Sequence, residues 1–102
     1  MFVNLTPHRM VVVDGPTIEP SGEIARIDTS HEVVDLIDGV KVYATVFGEI
    51  VGLPDPVEGV TLIVSALVAM RAGRDDVMSP GQLVRDSEGR VIGCEGFIRH
   101  SA

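Results

Sequence analysis

The sequence predicts a mainly β domain, a β-sandwich or a small barrel, with one short helix; an α+β fold is the alternative. Two observations predict it. Short runs rich in valine and other β-branched residues recur along all 102 residues, and such side chains fit pleated, half-buried surfaces. Glycine and proline turns separate these runs at short intervals. Because no linker or repeat divides the chain, we expect a single domain over residues 1–102.

The Asp38-Gly39 pair is the strongest local signal in the chain. It separates residues 33–37 from the alternating run at residues 40–46, which is the pattern of a β-hairpin closed by a two-residue turn. The alternative is a helix at residues 33–37, capped by Thr29 or Ser30. We favour strand, turn and strand.

Two further turns predict hairpins. Asp14-Gly15 lies between two short β-branched runs, although Pro16 weakens the signal. The segment 86–89 ends on Gly89, as expected for a type I turn that is followed by a left-handed glycine.

The predicted helix follows the apolar run at residues 60–64. That run is long enough for one buried strand, and the alanine-rich residues after it favour helix. Ser65 is in position to cap the start of the helix, and Gly73 is a good stop signal.

Charge and cysteine content exclude several classes of function. Fifteen acidic and eight basic residues give a net charge of -7, which disfavours binding to nucleic acid and to anionic membrane surfaces. No secretory signal and no apolar run of membrane-spanning length is visible, so we expect a cytoplasmic protein. The single cysteine, Cys94, permits no internal disulfide and is expected in the core.

Metal and cofactor motifs are missing from the sequence. His8, His31 and His100 lack a second histidine or cysteine at ligand spacing. No glycine-rich phosphate loop and no nucleophile-elbow motif occurs. We therefore expect no metal, no cofactor and no catalytic residue that the motifs alone would identify.

The charged loop at residues 71–77 is the segment most indicative of a site, because function concentrates on loops held by rigid elements. Arg74 could clamp an anion, and Asp75 or Asp76 could accept a hydrogen bond from a sugar or base edge. Two structural alternatives remain open: surface charges that pair with each other, or an internal Arg–Asp tie that pins the loop to the sheet.

Several strings of residues carry a resemblance that covers nearly the whole chain. They are Asn4-Leu5-Thr6-Pro7-His8, Phe47-Gly48-Glu49, Ile63-Val64-Ser65-Ala66-Leu67-Val68-Ala69, Arg74-Asp75-Asp76-Val77 and Val91-Ile92-Gly93-Cys94. The chain resembles a family of small uncharacterised proteins of bacteriophages, prophages and actinobacteria. The resemblance implies an accessory protein that binds a host protein or a signalling nucleotide. It also groups six polar residues as one hypothetical ligand site: Thr6, His8, Ser65, Arg74, Asp75 and Asp76.

We therefore predict a non-enzymatic binding module that recognises a small anionic ligand, such as a nucleotide, or a host protein. Exposed strand edges and a mean hydropathy of +0.31 favour a homo-oligomer. The first alternative is a structural or assembly homo-oligomer with no ligand. The second is a small hydrolase that uses His8 as base and Asp75 or Asp76 to orient it.

Overall fold

A computed structural model describes residues 1–101 of the chain. Its elements, in chain order, are β1 (Phe2–Asn4), β2 (Met10–Val11), β3 (Thr17–Ile18), β4 (Arg26–Ile37), β5 (Val40–Val51), β6 (Thr61–Ile63), α1 (Ala66–Ala72), β7 (Val77–Pro80), β8 (Leu83–Arg85), β9 (Val91–Cys94) and β10 (Phe97–Arg99).

A mixed four-stranded sheet with the order β1-β6-β7-β10 forms the centre of the molecule. β1 and β6 are parallel, as are β6 and β7, whereas β10 runs antiparallel to β7. Helix α1 makes the connection from β6 to β7, since parallel neighbours require a crossover. Because these three strands are parallel, β1, β6 and β7 all end at the same end of the sheet.

The hydrophobic core lies between this sheet and α1. The sheet contributes Leu62 of β6, Val77 of β7 and Val64, which directly follows β6. The helix contributes Val68 and Ala69. Burying a side chain of this size stabilises the fold by about 1.5–3 kcal/mol. The helix begins as predicted, because the hydroxyl of Ser65 accepts a hydrogen bond from the N–H of Val68. It ends as predicted, since Gly73 is left-handed (φ 59°) and donates to Ala69.

Three two-stranded hairpins surround the central sheet: β2–β3, β4–β5 and β8–β9. Both of the weaker turn predictions are confirmed. The β2–β3 turn places Asp14 at φ 61°, and the β8–β9 turn places Gly89 at φ 83°.

The β4–β5 hairpin, called the arm here, comprises two strands of 12 residues each. Asp38 and Gly39 both have positive φ, 49° and 80°, which is the two-residue turn expected from the sequence. Residues 33–37 are thus strand and not helix. One extra residue, Val34, forms a bulge in β4, and a second bulge lies in β5 at Gly48 and Glu49.

The arm protrudes from the rest of the molecule. Every residue from Asp28 to Lys41 is exposed. The radius of gyration is 16.6 Å, whereas a compact domain of this length has a value of about 13 Å. The radius of gyration exceeds that of a compact domain because the arm packs against the rest of the molecule only near the base of the arm.

The prediction of a mainly β fold with one short helix is confirmed. Within residues 1–101 the strands do not close into a barrel: they form one four-stranded sheet and three separate pairs. Closure does not occur because the two longest strands pair only with each other. None of the helical structure in this part of the chain has the length and apolar character that a membrane crossing requires.

Candidate functional site

Arg74 is held in a fork of three hydrogen bonds. Its Nε donates to Asp76 Oδ1 at 2.9 Å and its Nη2 donates to Asp76 Oδ2 at 2.6 Å. Its Nη1 donates to the carbonyl of Pro54 at 3.0 Å. Both charged side chains are about three-quarters buried or more, with 26% and 20% of their surface exposed. The guanidinium is therefore engaged on all three nitrogens by the protein itself.

The pair also stabilises its own ionised state. The hydrogen bonds to Asp76 raise the pKa of Arg74, against the opposing effect of burial. Likewise, the hydrogen bonds from Arg74 lower the pKa of Asp76, and burial opposes that shift. This geometry is the internal Arg–Asp tie that the sequence left open as an alternative, and it pins the loop to the Pro54 segment.

Asp75 makes different contacts from its two neighbours. Its carbonyl accepts a hydrogen bond from Arg99 Nε at 3.2 Å, and its carboxylate accepts one from the hydroxyl of Ser101. Asp75 thus contacts both the last residue of β10 and the segment that follows it. Within residues 1–101, its side chain takes no part in the Arg74 fork.

Thr6 and His8 belong to a turn organised by the buried side chain of Asn4. The Thr6 hydroxyl donates to Asn4 Oδ1 at 2.7 Å and lies 3.0 Å from the carbonyl of His8. Asn4 Nδ2 donates to the same carbonyl at 2.8 Å and to that of Ile18 at 3.1 Å. Thr6 is buried and acts as a turn residue, whereas His8 is exposed.

The structure places the six predicted site residues in two groups. Thr6, His8 and Ser65 follow the ends of the parallel strands β1 and β6. Arg74, Asp75 and Asp76 precede the start of β7, which is parallel to β6. The groups therefore lie at opposite ends of the sheet, and His8 is not brought to either aspartate as a base with its orienting partner.

A pocket of about 280 Å³ lies beside the β2–β3 and β8–β9 hairpins. Its walls are mostly apolar, including Met10, Val11, Leu83 and Val91, with buried Cys94 as a further lining residue. His8 and Arg9 also line the pocket, and Arg9 is paired with Glu19 at 2.8 Å. The volume of the pocket falls just below the range of about 300–1,000 Å³ that is typical of ligand sites.

Ser79 and His100 form a pair that the sequence did not indicate. The Oγ of Ser79 lies 2.6 Å from Nε2 of His100, although the two are 21 residues apart. The antiparallel pairing of β7 and β10 brings them together. With 1% of its surface exposed, Ser79 is not accessible as a nucleophile, and the pair serves to hold the segment after β10.

The largest unexplained surface is the arm. Successive residues of a strand point to opposite faces, and paired residues share a face, so the register divides the arm's apolar side chains into two sets. The aromatic face contains Val33, Leu36, Tyr43 and Phe47. The valine face contains Ile37, Val40, Val42, Ala44 and Val46.

Contacts support this assignment of faces. On the aromatic face, the rings of His31 and Tyr43 meet edge to face at 6.5 Å. Near the base, the guanidinium of Arg71 in α1 lies 4.8 Å from the centre of the Phe47 ring. Most of the surface of Leu36, Tyr43 and Val40 is nonetheless exposed, at 64%, 55% and 65%. Alternation along the sequence indicated strands here but gave no sign that both faces would be left uncovered.

Across residues 1–101, no three His, Cys, Asp or Glu side chains come together in a way that would hold a metal ion. The chain matches no family model, no curated protein and no solved structure.

Proposed function

We propose that this protein is a non-enzymatic binding module, of the accessory type found in phages and prophages, and that it recognises a host protein through the aromatic face of the arm. The observation that carries the proposal is the exposure of Val33, Leu36 and Tyr43 on one face of an element that protrudes from the body. Contiguous exposed apolar side chains on a soluble domain are typical of interaction surfaces.

The composition of the surface fits a protein partner. Tyrosine, phenylalanine, methionine and arginine are enriched at protein interfaces. Phe47 and Arg71 meet where the arm joins α1, and Tyr43 lies further out on the same face of the arm. Met70 and Leu67 of the same helix are also exposed. A strand pair of 12 residues extends about 37 Å, enough to contribute much of one side of a standard interface.

A small anionic ligand is supported less well. The Arg74 guanidinium, which would clamp the anion, already binds the Asp76 carboxylate and the Pro54 carbonyl. An anion would have to displace an internal partner that is already charged and well aligned. The pocket beside His8 is lined mainly by apolar groups. Of the two partners expected from the sequence, these contacts favour the protein.

The test uses the purified protein as bait in an extract of the cells that carry the gene. Three baits are compared: the native chain, Leu36→Asp on the aromatic face, and Ile92→Asp on β9 as a control of similar exposure. A recovered protein is then produced separately and titrated against each chain by calorimetry.

We expect the purified partner to bind the native chain and the Ile92→Asp variant alike. Leu36→Asp should weaken the affinity about 10-fold or more, because a charge would have to be desolvated at an apolar contact. Equal loss in both variants, or no purified protein that binds, would contradict the proposal. A nucleotide that raises the melting temperature of the native chain but not of Arg74→Ala would instead favour the small-ligand function.

A further inference from the structure

The outer edge of β5 is unpaired along its length. In residues 1–101, β5 pairs with β4 alone. Between Val40 and Phe47 this edge is regular, because its bulge lies further on at Gly48 and Glu49. Lys41 is the only charged side chain in that segment. A long, regular and mostly apolar edge is a template for pairing with another strand.

The outer edge of β4 has the opposite character. It carries Arg26, Asp28, Glu32 and Asp35, and the Val34 bulge interrupts it. Charges and bulges are the means by which natural sheets prevent their edges from pairing. The arm therefore has one protected edge and one edge open to pairing.

The turn determines which backbone groups point outward from β5. In a hairpin closed by a two-residue turn, the flanking residues Ile37 and Val40 exchange hydrogen bonds. The next residue, Lys41, therefore turns its N–H and C=O away from β4, and so does every second residue after it along β5. These residues are Lys41, Tyr43, Thr45 and Phe47.

We propose that β5 pairs antiparallel with β5 of a second copy of this chain, so that two arms form one four-stranded sheet. The contact is isologous, with the two-fold axis at Ala44. In this register Tyr43 lies opposite Thr45 of the second copy, Val42 opposite Val46, and Lys41 opposite Phe47. The four outward-facing residues of each strand exchange about eight hydrogen bonds in total, within the range of a standard protein interface.

The positions of the charged and small side chains favour a second copy of this chain at the β5 edge. Antiparallel pairing of β5 with itself places both β4 strands, with their acidic side chains, at the outer edges of the new sheet. The register centred on Ala44 keeps the two Lys41 side chains apart and places the smallest side chain of the segment on the axis. The valine faces of the two arms also become contiguous.

The limited stability expected of a two-stranded arm also favours pairing with a second copy. An isolated two-stranded hairpin is at best marginally stable in water, and three or more strands are needed for independent stability. The arm extends well beyond the body with two strands only. A second copy adds two more strands and leaves the aromatic faces of both arms exposed on one side, so this inference does not depend on the proposed host partner.

The first test is the mass of the purified chain by sedimentation velocity, with two proline variants on the same rung of the arm. Thr45 and His31 pair with each other, and each turns its N–H to an outer edge. Thr45→Pro removes donors from the proposed interface, whereas His31→Pro removes them from the protected edge.

We expect the native chain to sediment at about twice 10.9 kDa. The Thr45→Pro variant should dissociate about 10- to 100-fold more readily, because the symmetry removes two hydrogen bonds at once. The His31→Pro variant should remain a dimer. A native chain that is monomeric at about 0.1 mM, where a micromolar Kd leaves most chains paired, would overturn the proposal, as would equal dissociation of both variants.

The second test fixes the register and does not depend on the proline variants folding. Residues directly opposite in a non-hydrogen-bonded antiparallel pair have Cα atoms about 4.5 Å apart, which is within disulfide range. Ala44→Cys should therefore form a disulfide-linked dimer under mild oxidation. Thr45→Cys should not, since the two copies of residue 45 lie beyond the limit of about 7 Å. Native Cys94 is buried and gives little background. Linkage by Thr45→Cys, or by neither variant, would exclude this register.

Discussion

Arg74 donates hydrogen bonds to both carboxylate oxygens of Asp76, at 2.9 and 2.6 Å, and its remaining nitrogen donates to the carbonyl of Pro54. One side chain thus joins the loop after α1 to the segment between β5 and β6. We expect Arg74→Ala to lower the free energy of unfolding by about 1–3 kcal/mol, because a partly buried carboxylate loses its charged donors. Urea unfolding measures this, and Arg90→Ala is the control, since its ion pairs are largely exposed. A similar small effect of both variants would contradict the role of the tie.

Acid should weaken the same tie. The hydrogen bonds from Arg74 lower the pKa of Asp76 below its ordinary value of 3.8. Asp76 therefore contributes stability at pH values above about 5, and this contribution is lost as the pH falls through the ordinary value towards the lower folded-state pKa. Urea midpoints measured from pH 7 to pH 2 should fall less steeply with acid in Asp76→Asn than in the native chain. Parallel profiles would mean that other carboxylates dominate the acid response.

The cap at Ser65 should have a measurable effect on stability. Its Oγ accepts from the N–H of Val68 at 3.4 Å, and replacement of such a cap by alanine costs about 0.5–2 kcal/mol. We expect Ser65→Ala to lower the thermal midpoint, whereas Ser87→Ala in the β8–β9 turn should change it little. If Ser65 were instead part of a ligand site, binding would fall while stability stayed constant.

The hydrogen bond between buried Ser79 and partly exposed His100 predicts that the two substitutions differ in their effect on stability. His100→Ala leaves the hydroxyl of Ser79 buried with no partner, and such a group costs about 1–3 kcal/mol. Ser79→Ala removes the buried hydroxyl itself and leaves the more accessible imidazole to solvent, so it should destabilise less. Chemical denaturation of the two variants and of the double variant measures the coupling. Equal losses would mean that the histidine packs without depending on the hydrogen bond.

Gly52 should tolerate no side chain. It follows β5 with φ 85°, and an added Cβ would collide with the carbonyl oxygen of Ile24. We expect Gly52→Ala to destabilise by several kcal/mol, since it combines unfavourable φ with a backbone clash. Gly22→Ala is the control, because Gly22 also has positive φ but faces open space. The difference between the two melting temperatures isolates the clash.

Local features of the sequence predicted local structure well. The Asp38-Gly39 turn, the Ser65 cap and the Gly73 stop each depend on neighbouring residues, and the structure has all three where they were expected. The mainly β class follows from the same signals. The absence of a closed barrel could not be predicted, because closure depends on which strands pair at long range. The register of β4 with β5 is local, whereas the order β1-β6-β7-β10 is not.

The predicted site shows a similar limit. Spacing indicated that Arg74 and Asp76 could pair, and the pair forms. The partner at Pro54 is 20 residues away along the chain, and nothing in the sequence links the two positions. The resemblance grouped Thr6 and Ser65 with the Arg74 loop, but the parallel sheet separates them from it. The exposed faces of the arm were missed, because alternation of apolar residues specifies a strand without showing what covers it.

The position of the arm in the chain also affects how the body folds. β1 pairs with β6, so formation of that parallel pair closes a loop from Asn4 to Thr61. The arm takes up nearly half of this loop, and hairpins close locally within about 1–10 μs. Once the arm has formed, the chain that must still be brought together is about half as long, which lowers the entropic cost of loop closure by about 0.6 kcal/mol. The element that protrudes from the finished molecule thus shortens, once its two strands are paired, the stretch of chain that separates β1 from β6.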